Sequence, residues 1–425
     1  MTKPGKLAIL AAGGPAPGIN SVIGAATIRA SISGVEAVGL VDGFRWLIEG
    51  DTTKVASLSI KTVAGIQFRG GSVLGISRDS PATSPADLDR VLHSLQQLGV
   101  DALITIGGDD TALSAMRLAE HAKGQLRIVH VPKTIDNDLD LPYGIPTFGF
   151  QTVRHVGVGI VKDLQVDART TSRWYFVGTM GRKAGHLALG IGKAAGATLT
   201  VIPEEFSSAT VPVSTIVDTL AGAIIKRLSY GRMDGVAIIA VGLVERLDPA
   251  EVARFAAVDL LNPDGLRTAQ NRFADFLQEA VEARLLEFGI RVTIVSKNIG
   301  YELRCTDPIP FDIEYTRDLG YCASKYLLEG GSNAMITIQH GAFHPIPFQE
   351  MLDPATGRTR VRLVDINTEH YRIARRYMLR LRRDDFEDPH ELENFANTVG
   401  LSVEEFRRQF EYLIKDEPPP LQFDR

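Results

Sequence analysis

Four carboxylates in two short clusters carry the richest chemistry in the chain. Asp109 and Asp110 lie in GGDDT (107–111), and Asp136 and Asp138 lie in TIDND (134–138). Carboxylates are natural ligands for a hard divalent cation, and an ionised one beside an alcohol can take its proton. Side by side, the two clusters could do both. Each also has a plainer explanation. Asp-Asp-Thr after Gly-Gly suits a helix start, and Thr-Ile-Asp-Asn-Asp suits a polar turn. Finding both within one short unit of chain favours the chemistry.

The elements around them are those that would bring them together. Leu103–Ile106 is a short apolar run closed by Gly107-Gly108, as expected for a buried parallel strand. Thr111–Lys123 has apolar residues at helical spacing, and Arg127–Val131 reads as the next strand, so the unit is βαβ. Ligands of open parallel sheets collect at the carboxyl ends of the strands, where both clusters fall. Upstream, the strand Lys6–Ala11 runs into Gly13-Gly14-Pro15-Ala16-Pro17-Gly18-Ile19-Asn20 and a helix, Ser21–Ala30. This is neither GxxxxGK[ST] nor GxGxxG. A glycine turn feeding a helix still offers backbone N–H groups to phosphate. After a strand at Val38–Val41, a second glycine-rich stretch, Gly70–Arg78, ends in an arginine that could reach phosphate oxygens.

Downstream, Arg173–Thr179 reads as a strand leading into Met180-Gly181-Arg182-Lys183 and a helix at Ala184–Ala194. Ala197–Ile202 is a strand ending in Pro203-Glu204-Glu205, where a carboxylate could accept hydrogen bonds from sugar hydroxyls. Ile216–Arg227 is expected as helix, Val236–Val241 as strand, Asp248–Leu261 as an insertion with its own helix and Thr268–Phe288 as a long helix. Arg291–Val295 is expected as strand, Arg317–Leu328 as helix and Met335–Gln339 as strand. From about His370 the chain reads as helices rich in Arg and Glu, with a cap at Ser402, expected to cover or to dimerise.

At 425 residues, 44% hydrophobic and 23% charged, the chain suits two or three globular domains. A net charge of −5 provides no basic field for nucleic acid, so a polyanionic ligand must be met by local Arg and Lys. No apolar run is long enough to cross a bilayer and no signal-peptide layout opens the chain. The two cysteines, Cys305 and Cys322, form no disulfide framework, so a reducing, cytoplasmic setting is expected. The nine histidines show no zinc spacing.

In this order the motifs resemble the phosphofructokinase family: Gly13-Gly14-x-Ala16-Pro17-Gly18-x-Asn20, Gly70-Gly71 through Arg78, Gly107-Gly108-Asp109-Asp110, Thr134-Ile135-Asp136-Asn137-Asp138, Met180-Gly181-Arg182, Pro203-Glu204 and Gly300-Tyr301-x-x-Arg304. They span roughly residues 6 to 340 and look most like the pyrophosphate-dependent branch. Users of ATP in the family generally carry Gly-Gly-Asp-Gly and Pro-Gly-Thr-Ile-Asp-Asn-Asp; the changed positions here are Asp110 and Lys133. A carboxylate at Asp110 sets negative charge where a nucleotide's α-phosphate needs room, and Lys133 puts a cation beside the two phosphates that remain.

The resemblance implies an α/β fold of two Rossmann-like three-layer domains with mostly parallel sheets, the active site in the cleft between them, and a helical C-terminal extension. The expected bounds are 1–165 for the domain binding pyrophosphate and Mg²⁺, 166–345 for the sugar-phosphate domain and 346–425 for the extension. The chain is expected to cross back to the first domain after about 305. By the same resemblance Asp136 is the base acting on the 1-hydroxyl of fructose 6-phosphate, Asp138 holds that hydroxyl or supports Asp136, and Thr134 donates to the travelling phosphoryl group. Asp109 is the Mg²⁺ ligand. Gly14, Arg78, Asp110 and Lys133 meet the donor, and Arg182 spreads the developing charge. Arg173, Met180, Gly181, Glu204, Tyr301 and Arg304 grip the sugar phosphate. Arg173 is expected to reach across from a neighbouring subunit, in a homodimer or homotetramer with shared sites.

Two positions depart from the family pattern. Val295 stands where the family has a phosphate-gripping arginine, with Arg291 or Lys297 as substitutes, and Tyr301 replaces a histidine. The implied activity is reversible transfer from pyrophosphate to fructose 6-phosphate, serving glycolysis and gluconeogenesis. The alternatives are a user of ATP, an enzyme preferring sedoheptulose 7-phosphate, or a silent regulatory subunit. Replacing Asp110→Gly and Lys133→Gly together is expected to weaken discrimination against ATP. A ratio of kcat/KM for pyrophosphate over ATP that stays at the wild-type value in that double variant would refute the assignment of these two residues.

Overall fold

The computed structural model describes residues 4–142, 144–257, 263–353, 355, 359–415 and 417. Among them the strands are β1 (Lys6–Ala11), β2 (Glu36–Leu40), β3 (Val55–Leu58), β4 (Ala102–Gly107), β5 (Arg127–Thr134), β6 (Phe148–Gly149), β7 (Trp174–Thr179), β8 (Leu199–Val201), β9 (Gly235–Ala240), β10 (Ile294–Ile299), β11 (Ala334–Gln339) and β12 (Ala342–Pro347). The chain divides into two compact units, Met1–Val153 with Tyr301–Arg362, and Arg154–Gly300 with Leu363–Arg425.

These bounds differ from those expected at 165 and 345. The first division falls within a helix, Phe150–Thr171, that the sequence reading passes over. Its glycines and β-branched valines are weak helix formers. Gly157 has a packing reason: a Cβ there would meet Ile191 Cδ1 at 2.4 Å. Residues 346–362 belong with the first unit, following on from β12, which joins β11 antiparallel and ends at Pro347.

The sheet of the first unit runs β12-β11-β5-β4-β1-β2-β3, with β6 paired to β5. Its inner strands are parallel, and β3 and β12 join antiparallel at its two ends. Leu7 to Ala11 are wholly buried, which is why β1 reads as an unbroken apolar run. Each such Leu or Ile side chain contributes about 1.5–3 kcal/mol through burial. Among the helices that begin earlier than expected are Asp109–Ala122 and Pro310–Leu328; the latter opens with proline at the first helical position, where its missing N–H is not needed.

Helices Ile19–Ile32 and Pro310–Leu328 lock together in this unit. Ser324 Oγ donates to Ala26 O at 3.0 Å and Ser21 Oγ to Ile313 O at 3.1 Å. At Gly320 the backbones come so close that a Cβ would sit 2.4 Å from Val22 O.

The second unit holds a four-stranded parallel sheet, β10-β7-β9-β8. Strand β10 begins at Ile294 rather than Arg291. As an edge strand paired only to β7, it keeps polar Ser296, Lys297 and Asn298 in its middle, and these hide it from an apolar-run reading. The expected insertion helix is Pro249–Ala256; Val258 to Leu261 lie outside the described residues. The C-terminal helices cover this unit. Leu381 packs on Gly222 of helix Val213–Ser229, Lys226 pairs with Asp385 at 2.6 Å, and Phe406 stacks between Phe395 and Phe410. Ser402 caps its helix in a reciprocal pair with Glu405, as expected.

Gly320→Ala is expected to destabilise the protein by about 1–3 kcal/mol, because the new methyl must push two backbones apart. Urea unfolding would measure it, and an unchanged midpoint would refute the tight crossing.

Candidate active site

The first unit delivers most of the candidate residues to one edge of its sheet. Strands β1, β4 and β5 are neighbours and parallel, so their carboxyl ends lie side by side. From β1 comes the turn Gly13–Gly18, from β4 the Gly107-Gly108 turn and Asp109, and from β5 the segment Lys133–Asp138. The Gly70–Arg78 stretch joins them. Ser77 O accepts from Gly13 N at 2.8 Å. Asn20 holds the stretch through Nδ2 to Arg69 O (3.0 Å) and Gly70 O (3.2 Å), while its Oδ1 accepts from Val73 N (2.8 Å). Asn20 thus serves to align two loops. Arg78 itself is exposed beside them.

Two cations converge on the first glycine turn. Lys133 is buried, and its ammonium lies 3.4 Å from where a Cβ on Gly13 would stand. Arg304 places Nη1 3.3 Å from the corresponding point on Gly14. Side chains at either glycine would crowd these charges, and Gly13 also has a left-handed φ of 89°. Arg304 stacks on the Tyr301 ring at 4.7 Å, and its buried Nε has no hydrogen-bond partner, a donor left for a ligand. Arg304, expected to grip the sugar phosphate, stands here with Lys133 at the Gly13-Gly14 turn.

Burial pushes the Lys133 pKa down to about 8. Asp136 raises it, Arg304 lowers it, and Asp109 and Asp138 raise it. Carboxylates of both clusters therefore act on one ammonium, which the spacing of the motifs alone could not establish. Asp109 and Asp110 form the first turn of their helix, where the positive dipole end favours them. Asp110 N donates to Asp109 Oδ1 at 3.0 Å, and the Asp110 side chain is exposed.

The Asp136 loop is built on its own hydrogen bonds. Thr134 Oγ1 donates to Asp138 Oδ1 at 3.0 Å and accepts from Asp136 N at 3.1 Å. The hydroxyl proton of Thr134 is thereby committed to Asp138 in this state. Asn137 takes a left-handed φ of 57°, and its Oδ1 accepts from Thr147 N at 3.0 Å.

The second unit carries the remaining candidates. Met180, Gly181 and Arg182 follow β7, and Gly242 packs against the Gly181 and Arg182 carbonyls, where a Cβ would sit at 2.7 and 2.8 Å. Glu204 Oε1 accepts from Gly185 N (2.9 Å) and Val364 N (3.0 Å), while Oε2 is buried without a partner. Burial raises its pKa, against the two amide hydrogen bonds. Its neighbour Glu205 is spent on structure, paired with Arg380 at 3.1 Å and Arg375 at 3.5 Å. Arg173 stands before the amino end of β7, about 20 Å along the strand from Arg182 in the same chain. Glu245 is the carboxylate that sequence reasoning missed. It follows β9 with its side chain exposed; partial desolvation raises its pKa, and Arg182 and Lys183 oppose that rise. A carboxylate just past a buried strand was the available signal.

Comparison with known proteins bears on the family of the chain. The family described as Phosphofructokinase matches residues 6–327. A pyrophosphate–fructose 6-phosphate 1-phosphotransferase of Thermotoga maritima is 50% identical over 95% of this chain and 98% of its own length. One from Naegleria fowleri is 46% identical, covering 96% of each chain. Among solved structures, a pyrophosphate-dependent phosphofructokinase from Nitrosospira multiformis superposes with a TM-score of 0.66 at 14% identity, over 99% of this chain and 95% of the other. At that identity the likeness bears on fold alone.

Lys133 gives a pH signature. Its lowered pKa means the ammonium is lost as pH rises through about 8. Affinity of the free protein for pyrophosphate, used as a probe anion, is expected to fall between about pH 7 and 9 more steeply than in Lys133→Met. Calorimetric titration across that range checks this, since the ionisations of the probe itself are common to both proteins.

Proposed function

This chain belongs to the phosphofructokinase family, and we infer that it transfers a phosphoryl group reversibly from pyrophosphate to the 1-hydroxyl of fructose 6-phosphate. The products are fructose 1,6-bisphosphate and phosphate. The observation that carries this reading is the pairing of Lys133 and Arg304 over the Gly13-Gly14 turn, with Asp110 on the adjoining helix turn. Two close cations suit the compact charge of a diphosphate. The Asp110 carboxylate, exposed on the first turn of the helix that follows β4, opposes a donor whose further phosphate extends toward that turn, since like charges brought close are costly.

The steps follow from the residues. Asp136 takes the proton of the 1-hydroxyl, and the resulting oxygen bonds to the near phosphorus as the bridging P–O bond breaks and phosphate departs. Asp138, held by Thr134, steadies the hydroxyl. Lys133 and Arg304 hold the diphosphate, and Arg182 offsets the charge on the transferring group. Glu204, with its free buried oxygen, accepts from a sugar hydroxyl, and Met180, Gly181 and Tyr301 complete the sugar-phosphate contacts. Arg78 belongs to the donor contacts.

Asp109 is the residue to hold Mg²⁺. Among the described residues no three His, Cys, Asp or Glu side chains gather to enclose a cation unaided. That fits Mg²⁺, which commonly takes one or two carboxylates and completes its shell with water and substrate phosphates. Held there, it would supply positive charge to offset that of the phosphates.

A homo-oligomer with shared sites belongs to the same proposal, supported by Arg173. Arg173 precedes β7 while Arg182 follows it, so the two stand at opposite ends of that strand in one chain. A cytoplasmic setting is proposed as well; among the described residues no helix is long and apolar enough to cross a membrane.

Purified protein with Mg²⁺ and fructose 6-phosphate, given pyrophosphate or ATP, tests the function. Turnover is expected with pyrophosphate, and turnover with ATP alone would overturn the donor. Asp136→Ala should lower kcat by at least about 10²-fold while sugar-phosphate binding survives.

A further inference from the structure

The loop that carries Asp136 is not held by its own hydrogen bonds alone. We propose that Arg362 is a positioning residue for Asp136: its guanidinium clamps the left-handed Asn137 next to the base and so fixes where the base carboxylate stands. The proposal rests on the reading of Asp136 as the base.

The contacts are many and converge on one short loop. Arg362 Nε donates to Asn137 O at 3.2 Å, and Nη2 donates to Asn137 O at 3.1 Å and to Asn137 Oδ1 at 2.5 Å. Nη1 donates to Ile145 O at 2.8 Å and Leu141 O at 3.4 Å. The Arg362 backbone joins in, its N–H donating to Asp138 O at 2.8 Å. Val361 makes a β-bridge with Leu139, and Arg360 pairs with Asp140 at 3.1 Å. A single strap, Arg360 to Arg362, thus runs along 137–141.

The physical need is clear. A left-handed residue such as Asn137 turns the chain sharply, and its carbonyl finds no place in a regular ladder. Arg362 meets that carbonyl and the Asn137 side chain with one rigid, forked cation. Asp138 and Asp140 hold the charge in place against the cost of its burial. Lysine has the charge but not the fork, so it cannot span Asn137, Ile145 and Leu141 at once. The sequence reading had no reason to mark Arg362, which lies far from TIDND and in no motif.

Three measurements test this on the full-length protein. Arg362→Ala should lower kcat by about 10²-fold, the usual order for a catalytic group displaced by an ångström. KM for pyrophosphate should move by no more than about threefold, since Lys133 and Arg304 are untouched. Added guanidinium ion should restore part of kcat, and Arg362→Lys should stay well below wild type. Hydrogen exchange without substrate should quicken at residues 134–147 and nowhere else in the first unit.

A kcat left intact overturns the proposal, as does a loss lying in KM alone. Quickened exchange spread over the whole first unit would also overturn it, because that marks a purely structural arginine. If Arg362→Ala does not fold, Arg362→Lys takes the same kinetic and exchange tests. If the wild-type protein transfers nothing from pyrophosphate, the function reading fails. The exchange pattern then still decides whether Arg362 fixes the loop.

Discussion

A lysine ammonium buried under a glycine turn is the interaction around which the first unit is arranged. Burial of that charge is unfavourable unless carboxylates face it, and here Asp136, Asp109 and Asp138 do so from two different strand ends. Arg304 pushes the other way, so the pocket balances two cations against three anions before any ligand arrives. A further anion brought close would favour both cations. Burial is the main reason that the Lys133 pKa is lowered, and the three carboxylates recover only part of that cost.

Such a cluster works only if its parts are held still, and each part has a separate support. Gly13 and Gly14 leave room for the cations. Asn20 ties the Gly70 stretch to the same turn through three hydrogen bonds. Thr134 staples Asp138 and the Asp136 amide, and Arg362 grips the bend between them. Removing a support of this kind need not unfold the chain. It would move a carboxylate by a fraction of its length, which is enough to matter for proton transfer.

The second unit shows the same economy with its acids. Glu204 and Glu205 are adjacent, yet one keeps a buried oxygen free while the other is buried against Arg375 and Arg380 of the C-terminal region. The C-terminal region therefore does more than cover apolar surface: it also pairs a buried carboxylate of the second unit.

Local pattern was enough for much of this protein. Alternating apolar runs and helical spacing identified the strands whose carboxyl ends carry the site, and the order of glycine and aspartate motifs identified the family. These features are written in residues close together in the chain, where period and turn chemistry act directly. The helix Phe150–Thr171 escaped because valines and glycines suit it poorly until neighbours such as Ile191 pack against it. The edge strand β10 was misplaced because its polar middle faces no second partner. Tertiary structure alone decided that Arg304 stands over Gly14, that Glu204 rather than Glu205 stays open, and that Arg362 reaches Asn137. Each of these depends on a contact between distant parts of the chain, made by a side chain whose own neighbours say nothing of it.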